Sequence, residues 1–314
     1  MSFFLLLIVT LISAFIVGVN KMIDRGNYFR INPGATSVIL GHSHPECAFN
    51  DSLIDNCKNM AQSAESYFYT YYKLKKIIEN NHQVKTVYVE FTNNQLSKKM
   101  DDWIWENPYF SYTYPKYAAF INATDYMLLF SHHAVAVLNS VSLTVKKNFL
   151  FLAKNKKDYI KEMSWGGYLY LVKSTTDSVV NEMAKDVNKR QQVLLGTSTV
   201  NIVYLEKIID LCRQNAVKIY LVRSPMHSQY TGVGNEPVFK KILATKFAGI
   251  EFLDFKDFPL ANNEFADMEH LNYKGATIFS LFFNGLLKDG LLNKPDKQQV
   301  INNAMAVRIV TKAT

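Results

Sequence analysis

Three hydrophobic patterns succeed one another along the chain. Residues 2–19, SFFLLLIVTLISAFIVGV, are apolar almost without interruption, and no charge appears before Lys21. About 20 apolar residues cross the hydrocarbon core of a bilayer, so residues 1–20 are expected to form a transmembrane signal anchor. A cleaved signal peptide is the alternative, although no small-residue cleavage site follows the run. A buried core helix would be striped, whereas this run is apolar all round. Beyond it, short β-branched and apolar runs bounded by turn residues predict strands at 35–40, 84–90, 217–222 and 250–254. Apolar residues three and four apart predict helices at 48–58, 65–80, 198–215, 237–247 and 273–287. The helix over 65–80, for example, places Tyr67, Phe68, Tyr71, Leu74, Ile77 and Ile78 on one face. Four or five parallel strands alternating with helices define the expected class: α/β, a doubly wound parallel sheet with flanking helices occupying residues 21–290.

The strand and helix rhythm stops between residues 95 and 190, and this stretch is expected to be a large, mainly helical insertion capping the site. Residues 103–120, WIWENPYFSYTYPKYAAF, are crowded with aromatics and broken by Pro108 and Pro115. They suit a small satellite core, a sugar-stacking surface or a membrane-facing surface. Lys146, Lys147, Lys154, Lys156, Lys157 and Lys161 read first as a solvated face and second as an anionic contact. His132 and His133, also in the insertion, read as packing or surface residues. Residues 291–314 are expected to be a tail outside the domain.

Composition changes this picture little. A 48% hydrophobic content over 314 residues fits a folded globular core. The net charge of +8 would suit nucleic acid, an anionic membrane or an acidic polymer. No nucleic-acid motif accompanies it, so no nucleic-acid partner is expected. Cys47, Cys57 and Cys212 form no CxxC pair and are odd in number, which fits packed free thiols. Lys21, Arg25 and Arg30 follow the apolar run with nothing basic before it, which by the positive-inside rule would put the body in the cytoplasm.

Candidate chemistry lies at predicted strand ends. The first strand meets Gly41 and then Ser43, so a hydroxyl is expected to project from a tight turn where open α/β sheets collect ligands. Serine is a weak nucleophile until a base takes its proton, and that base works best when a carboxylate holds its other nitrogen. Asp267 and His270 form a D-x-x-H turn that can supply both groups locally. Oxyanion donors should be pre-placed, and the candidates are the Ser43 N–H, the N–H groups near Ala61 to Ser63, and the amide of Asn93 or Asn94. His44 and His227, at strand ends, are expected to line the pocket without a chemical role.

Together these segments resemble the SGNH (GDSL-like) hydrolase superfamily. Gly41-His42-Ser43 stands where that family has G-D-S, residues 59–64 (NMAQSA) stand for its second block, and Asn93 or Asn94 stands for the third-block Asn. Asp267 and His270 stand for its final Asp and His. The chain departs from the pattern at His42, at Ala61 or Ser63 in place of Gly, and in the missing Gly before the third-block Asn. The resemblance covers roughly residues 37–94 and 201–287. It implies a flavodoxin-like parallel sheet and a Ser43-His270-Asp267 triad, with no cofactor. With its anchor the chain is similar to the membrane-tethered acyl-transfer proteins of teichoic-acid D-alanylation and alginate acetylation. That similarity implies an extracytoplasmic body, an acylated carbohydrate or cell-envelope polymer as substrate, and a membrane-bound O-acyltransferase as a partner. Two other readings stay open. One is a metal hydrolase using His42, Ser43, His44, Glu46, Asp267 and His270. The other is a glycan- or partner-binding protein that keeps the fold without turnover.

Overall fold

The structure is a computed structural model that describes residues 2–26, 28–106, 108–153, 165–185 and 196–313. Its centre is a five-stranded parallel sheet formed by β1 (Ser37–Leu40), β2 (Cys57–Asn59), β3 (Thr86–Glu90), β4 (Lys218–Arg223) and β5 (Glu251–Asp254). The strand order is β2-β1-β3-β4-β5, so the chain reverses its direction of winding after β2. β1 pairs in register with both β2 and β3, Val38 facing Lys58 on one side and Val87 on the other. Both faces of the sheet are covered, which is why its strands read as unbroken apolar runs. Val38, Leu40, Val87, Val89, Ile219 and Leu221 point into one core, beneath α3 (Tyr67–Asn80) and α9 (Thr199–Gln214). Their neighbours Ile39, Tyr88, Tyr220, Val222 and Leu253 point into the other, where Phe279 and Phe283 of α11 (Tyr273–Lys288) meet Phe49. This alternation is the two-residue period of a strand.

The helix expected over 48–58 is not formed. Instead α2 (Ser43–Ala48) starts directly at the end of β1, and the edge strand β2 follows a 3-10 turn. The cause is local side-chain chemistry. The His42 imidazole accepts the His44 N–H at 3.4 Å, and Pro45 sits in the first turn, where its missing N–H costs nothing. Downstream, the Asn50 side-chain Oδ1 accepts the Ser52 N–H and the Asp51 carboxylate accepts the Asn59 N–H, competing with helix continuation. Residues 291–314 are also more than a tail. They carry α12 (Lys297–Ala313), whose Ile301 is fully buried in the second core. Gln298 exchanges hydrogen bonds with the backbone of Asp254, its Oε1 accepting at 2.8 Å and its Nε2 donating at 3.0 Å. The free edge of β5 is thereby covered.

The described part of the 95–190 insertion is mainly helical, comprising α4 (Asn93–Leu96), α5 (Asp102–Trp105), α6 (Tyr109–Tyr117), α7 (Ala123–Ala153) and α8 (Thr176–Lys185). Residues 165–175 form an extended strap between α7 and α8, tied to the body by Gly167 N–H to Ala61 O, Leu169 N–H to Glu46 O and Thr175 N–H to Ala266 O. Lys154, Lys156, Lys157 and Lys161 lie outside the described residues. With α10 (Glu236–Thr245) the described residues hold twelve α-helices. At the start, α1 (Ser2–Asp24) is apolar and long enough to cross a membrane, with most of its surface exposed. Cys47, Cys57 and Cys212 are buried free thiols, and burial pushes those of Cys57 and Cys212 up to about 12.

Candidate active site

Ser43 is the first residue of α2, three positions beyond the end of β1, and its hydroxyl faces the turn before α11. That turn is shaped by Asp267, whose Oδ1 accepts the backbone N–H groups of Glu269 at 2.8 Å and His270 at 2.9 Å. The His270 Nδ1 lies 2.9 Å from both Asp267 oxygens, and its Nε2 lies 2.7 Å from Ser43 Oγ. A hydroxyl, an imidazole and a carboxylate thus stand in series. Burial raises the Asp267 carboxyl, but its hydrogen bond and charge attraction to His270 and the two backbone N–H groups it accepts together hold it below the ordinary range. Asn272 fixes the following helix, its Oδ1 accepting from Lys274 N–H at 2.9 Å and Gly275 N–H at 3.3 Å. Gly275 is required by proximity, since a Cβ there would sit 2.1 Å from the Glu264 carbonyl oxygen.

Behind the series lies a buried charge network that the sequence reading missed. His44 is 1% exposed and stands between two carboxylates, Glu269 Oε2 at 3.2 Å from Nε2 and Glu90 Oε1 at 3.3 Å from Nδ1. Burial pulls its pKa down, yet the hydrogen bond to Glu269 and the pairing with Glu90 win and bring it up to about 9. Glu269 responds in the opposite sense: burial raises it, and His44, His270 and Tyr230 draw it down to about 2. Glu90 is fully buried at the end of β3; burial raises it, His42 and His44 lower it, and the net direction is down. His42, beside it, is driven by burial to about 4 and is therefore neutral. His44 is thus an imidazolium whose ring centroid is 5.3 Å from that of His270. The available signal was Glu90 itself, an acid ending the apolar run TVYVE.

The cleft above Ser43 has a volume of about 380 Å³ and is walled by Asn94, Trp103, Tyr109, Tyr230, Glu269 and His270. The insertion therefore does cap the cleft, through Trp103 and Tyr109. Several expected donors are placed elsewhere. The Ala61 N–H donates to Asn59 Oδ1 at 2.9 Å, and the Ser63 N–H donates to Glu46 Oε2 at 2.8 Å, so neither is free for an oxyanion. Asn93 is turned away, its amide bound to Asn235 and Glu236 and its carbonyl oxygen accepting from Arg223. Asn94 does face the cleft, its Nδ2 donating to Tyr230 at 3.1 Å and Glu269 at 3.2 Å. His227 does not line the cleft. It binds Asn262 Oδ1 at 3.0 Å and donates its N–H to Met268 O, which pins the loop that carries Asp267. The donor left for an oxyanion is the Ser43 N–H, which as the first of its helix has no carbonyl one turn back; the Asn94 amide borders the cleft with both of its hydrogens bound to Tyr230 and Glu269.

The six residues of the metal reading do not converge. Glu46 turns to Ser63, while Asp267 and His270 serve Ser43. His42, His44 and Glu90 do approach within 4.8 Å of one another. Glu90 Oε2 accepts the His42 N–H at 2.8 Å and His44 Nε2 meets Glu269 at 3.2 Å, while His42 Nε2, His44 Nδ1 and Glu90 Oε1 are buried without a hydrogen bond among the described residues, the last two 3.3 Å apart.

Fold and site together define a doubly wound α/β protein with a Ser-His-Asp series at the carboxyl end of its sheet. A protein-family model matches residues 178–292, a span that contains β4, β5 and the Asp267–His270 turn but not Ser43, and amounts to a little over a third of the chain. No curated protein matches the sequence.

Proposed function

We propose that the protein is a membrane-anchored serine esterase or O-acyltransferase of the SGNH type, acting on ester-linked acyl groups of an envelope carbohydrate. The observation that carries the reading is the Ser43 Oγ to His270 Nε2 distance of 2.7 Å, made between residues 227 apart in sequence and continued to Asp267. Such a series activates a serine hydroxyl and has little structural use otherwise. His270 removes the hydroxyl proton as Ser43 Oγ attacks the acyl carbonyl, and the Ser43 N–H stabilises the oxyanion, joined by the Asn94 amide once the substrate displaces Tyr230 or Glu269 from it. As the ester C–O bond breaks, His270 returns the proton to the departing alkoxide, leaving an acyl-Ser43. Water or a sugar hydroxyl then gives its proton to His270 and attacks the acyl carbon; as the bond to Ser43 Oγ breaks, His270 passes that proton to Oγ and the free serine is restored. The apolar α1 supports anchoring, and the similarity to tethered acyl-transfer proteins favours an extracytoplasmic body beside a membrane-bound O-acyltransferase.

The test is covalent labelling by a fluorophosphonate with a peptide map. Labelling at Ser43, abolished in Ser43→Ala together with a loss of acyl-ester turnover on the order of 10³-fold or more, is expected. Full turnover in Ser43→Ala would end the reading. The occupied N–H groups of Ala61 and Ser63 favour a second reading, a glycan-binding protein without turnover, for which Ser43 stays unlabelled while carbohydrate binding survives the substitution.

A further inference from the structure

We infer that α7 just beyond its bend, residues 134–145, is lipid-facing and lies in the bilayer alongside α1. Residues 126–145 contain no Asp, Glu, Lys or Arg, as do residues 2–20 of α1. α7 is bent at His133, whose φ of −151° and ψ of 67° leave the helical region. The break is held by His132 stacked on Trp105 at 3.9 Å and by the Ala136 N–H donating to His133 Nδ1 at 3.0 Å. The segment after the bend exposes large apolar residues that a water-facing helix would bury. Ala136, Ser140 and Thr144, spaced four apart, are buried beside Val137, whereas Val135 is 66% and Leu138 59% exposed. A helix on the surface of a water-soluble domain turns its large apolar residues inward. One that packs in a bilayer turns small and polar residues to its neighbours and large apolar ones to lipid.

What covers this face is argued from its continuity with α1. Phe15 and Phe149 have ring centroids 4.8 Å apart, and Asn148 Nδ2 donates to Asn20 Oδ1 at 3.1 Å. Ser13, Ile16 and Val17 border the same small cavity as Val141 and Thr144, so the uncharged parts of the two helices run side by side. Each uncharged stretch ends in lysine close to the Asn20–Asn148 contact, at Lys21 in α1 and at Lys146 and Lys147 in α7. Basic residues at a common level are what a headgroup boundary selects. α7 also carries α5 and α6, the elements that bring Trp103 and Tyr109 to the Ser43 cleft.

The inference rests on the anchoring role of α1, and the experiment separates the two. The full chain is reconstituted in phosphatidylcholine–phosphatidylglycerol nanodiscs with single nitroxide labels at Leu11→Cys, Val135→Cys, Leu138→Cys and Val203→Cys, the native thiols being buried. Accessibility to oxygen is compared with accessibility to a water-soluble nickel chelate. Val135 and Leu138 are expected to match Leu11, with an oxygen-to-nickel ratio at least tenfold above that of Val203 on α9. If Leu11 is in lipid while Val135 and Leu138 behave as Val203, the face is kept for another protein and the inference is overturned. If Leu11 itself is in water, the anchor fails first. None of these outcomes depends on Ser43 being a nucleophile.

Discussion

At the scale of single residues, the site is governed by how few ways a buried charge can be tolerated. Glu90 and Glu269 would be costly alone, and His44 offsets both by remaining protonated between them. The groups facing His44 are Glu90 from β3, His42 from the β1 turn, and Glu269 and His270 from the turn before α11. Its folded pKa of about 9 lies above the ordinary 6.5. The folded protein therefore keeps a proton that the unfolded chain has released. The resulting stabilisation is complete below about pH 6.5 and is lost as pH rises through about 9. Thermal midpoints recorded from pH 6 to 10 should fall across that window in the wild type. His44→Gln should flatten the slope and, by leaving the buried Glu90 without its cation, cost on the order of 3 kcal/mol at pH 6, the partly exposed Glu269 adding little. An unchanged slope in the variant would show that His44 is neutral in the folded state. Most of this was illegible in the sequence. His44 and His227 looked alike at two strand ends, yet one is wedged between carboxylates and the other fastens a loop.

At the scale of elements, the passage from β1 to α2 decides where the nucleophile points. Gly41 has a φ of +146°, and a Cβ there would lie 2.5 Å from Glu90 Cβ. Only glycine lets the chain leave the strand over the buried carboxylate, so that the His42 N–H reaches Glu90 and Ser43 begins the helix. Gly41→Ala is expected to cost more than about 2 kcal/mol, read as a fall in the urea midpoint, and to reduce fluorophosphonate labelling of Ser43 in the fraction that remains folded. A variant with wild-type midpoint and labelling would refute this account of the turn. The long strands and helices were legible because each is amphipathic or uniformly apolar over many residues: 84–90, 198–215 and 273–287 are shifted by no more than about two residues at either end. β2 was not, because three residues with one alternation carry no periodicity of their own and become a strand only by pairing with β1.

At the scale of the whole molecule, the chain closes its second core with its last helix. Ile301 sits fully buried among residues that include Leu253, Phe255 and Phe279. Removing its side chain to Cβ should destabilise the protein by about 2–5 kcal/mol, as a poorly collapsing core cavity does. Urea denaturation of Ile301→Ala measures it, and a loss under about 0.5 kcal/mol would return residues 291–314 to the status of a tail. The same region shows why the sequence misled. Over 297–313 apolar and polar residues are mixed in nearly equal number, and those that dock give no strong stripe. The insertion was legible as mainly helical, while the separate character of α7 within it was not.

Local chemistry alone settled the opening apolar helix, the alternation that makes a parallel α/β sheet, and the D-x-x-H turn that aims His270, because each depends on residues within a few positions of one another. Tertiary structure alone decided which amides are free, that Asn94 and not Asn93 faces the cleft, that Ala61 and Ser63 are already spent on Asn59 and Glu46, and that Glu90 lies beneath the nucleophile. Those outcomes turn on competition among hydrogen-bond partners brought together from distant segments, and a linear chain does not reveal which partner a buried donor will find first.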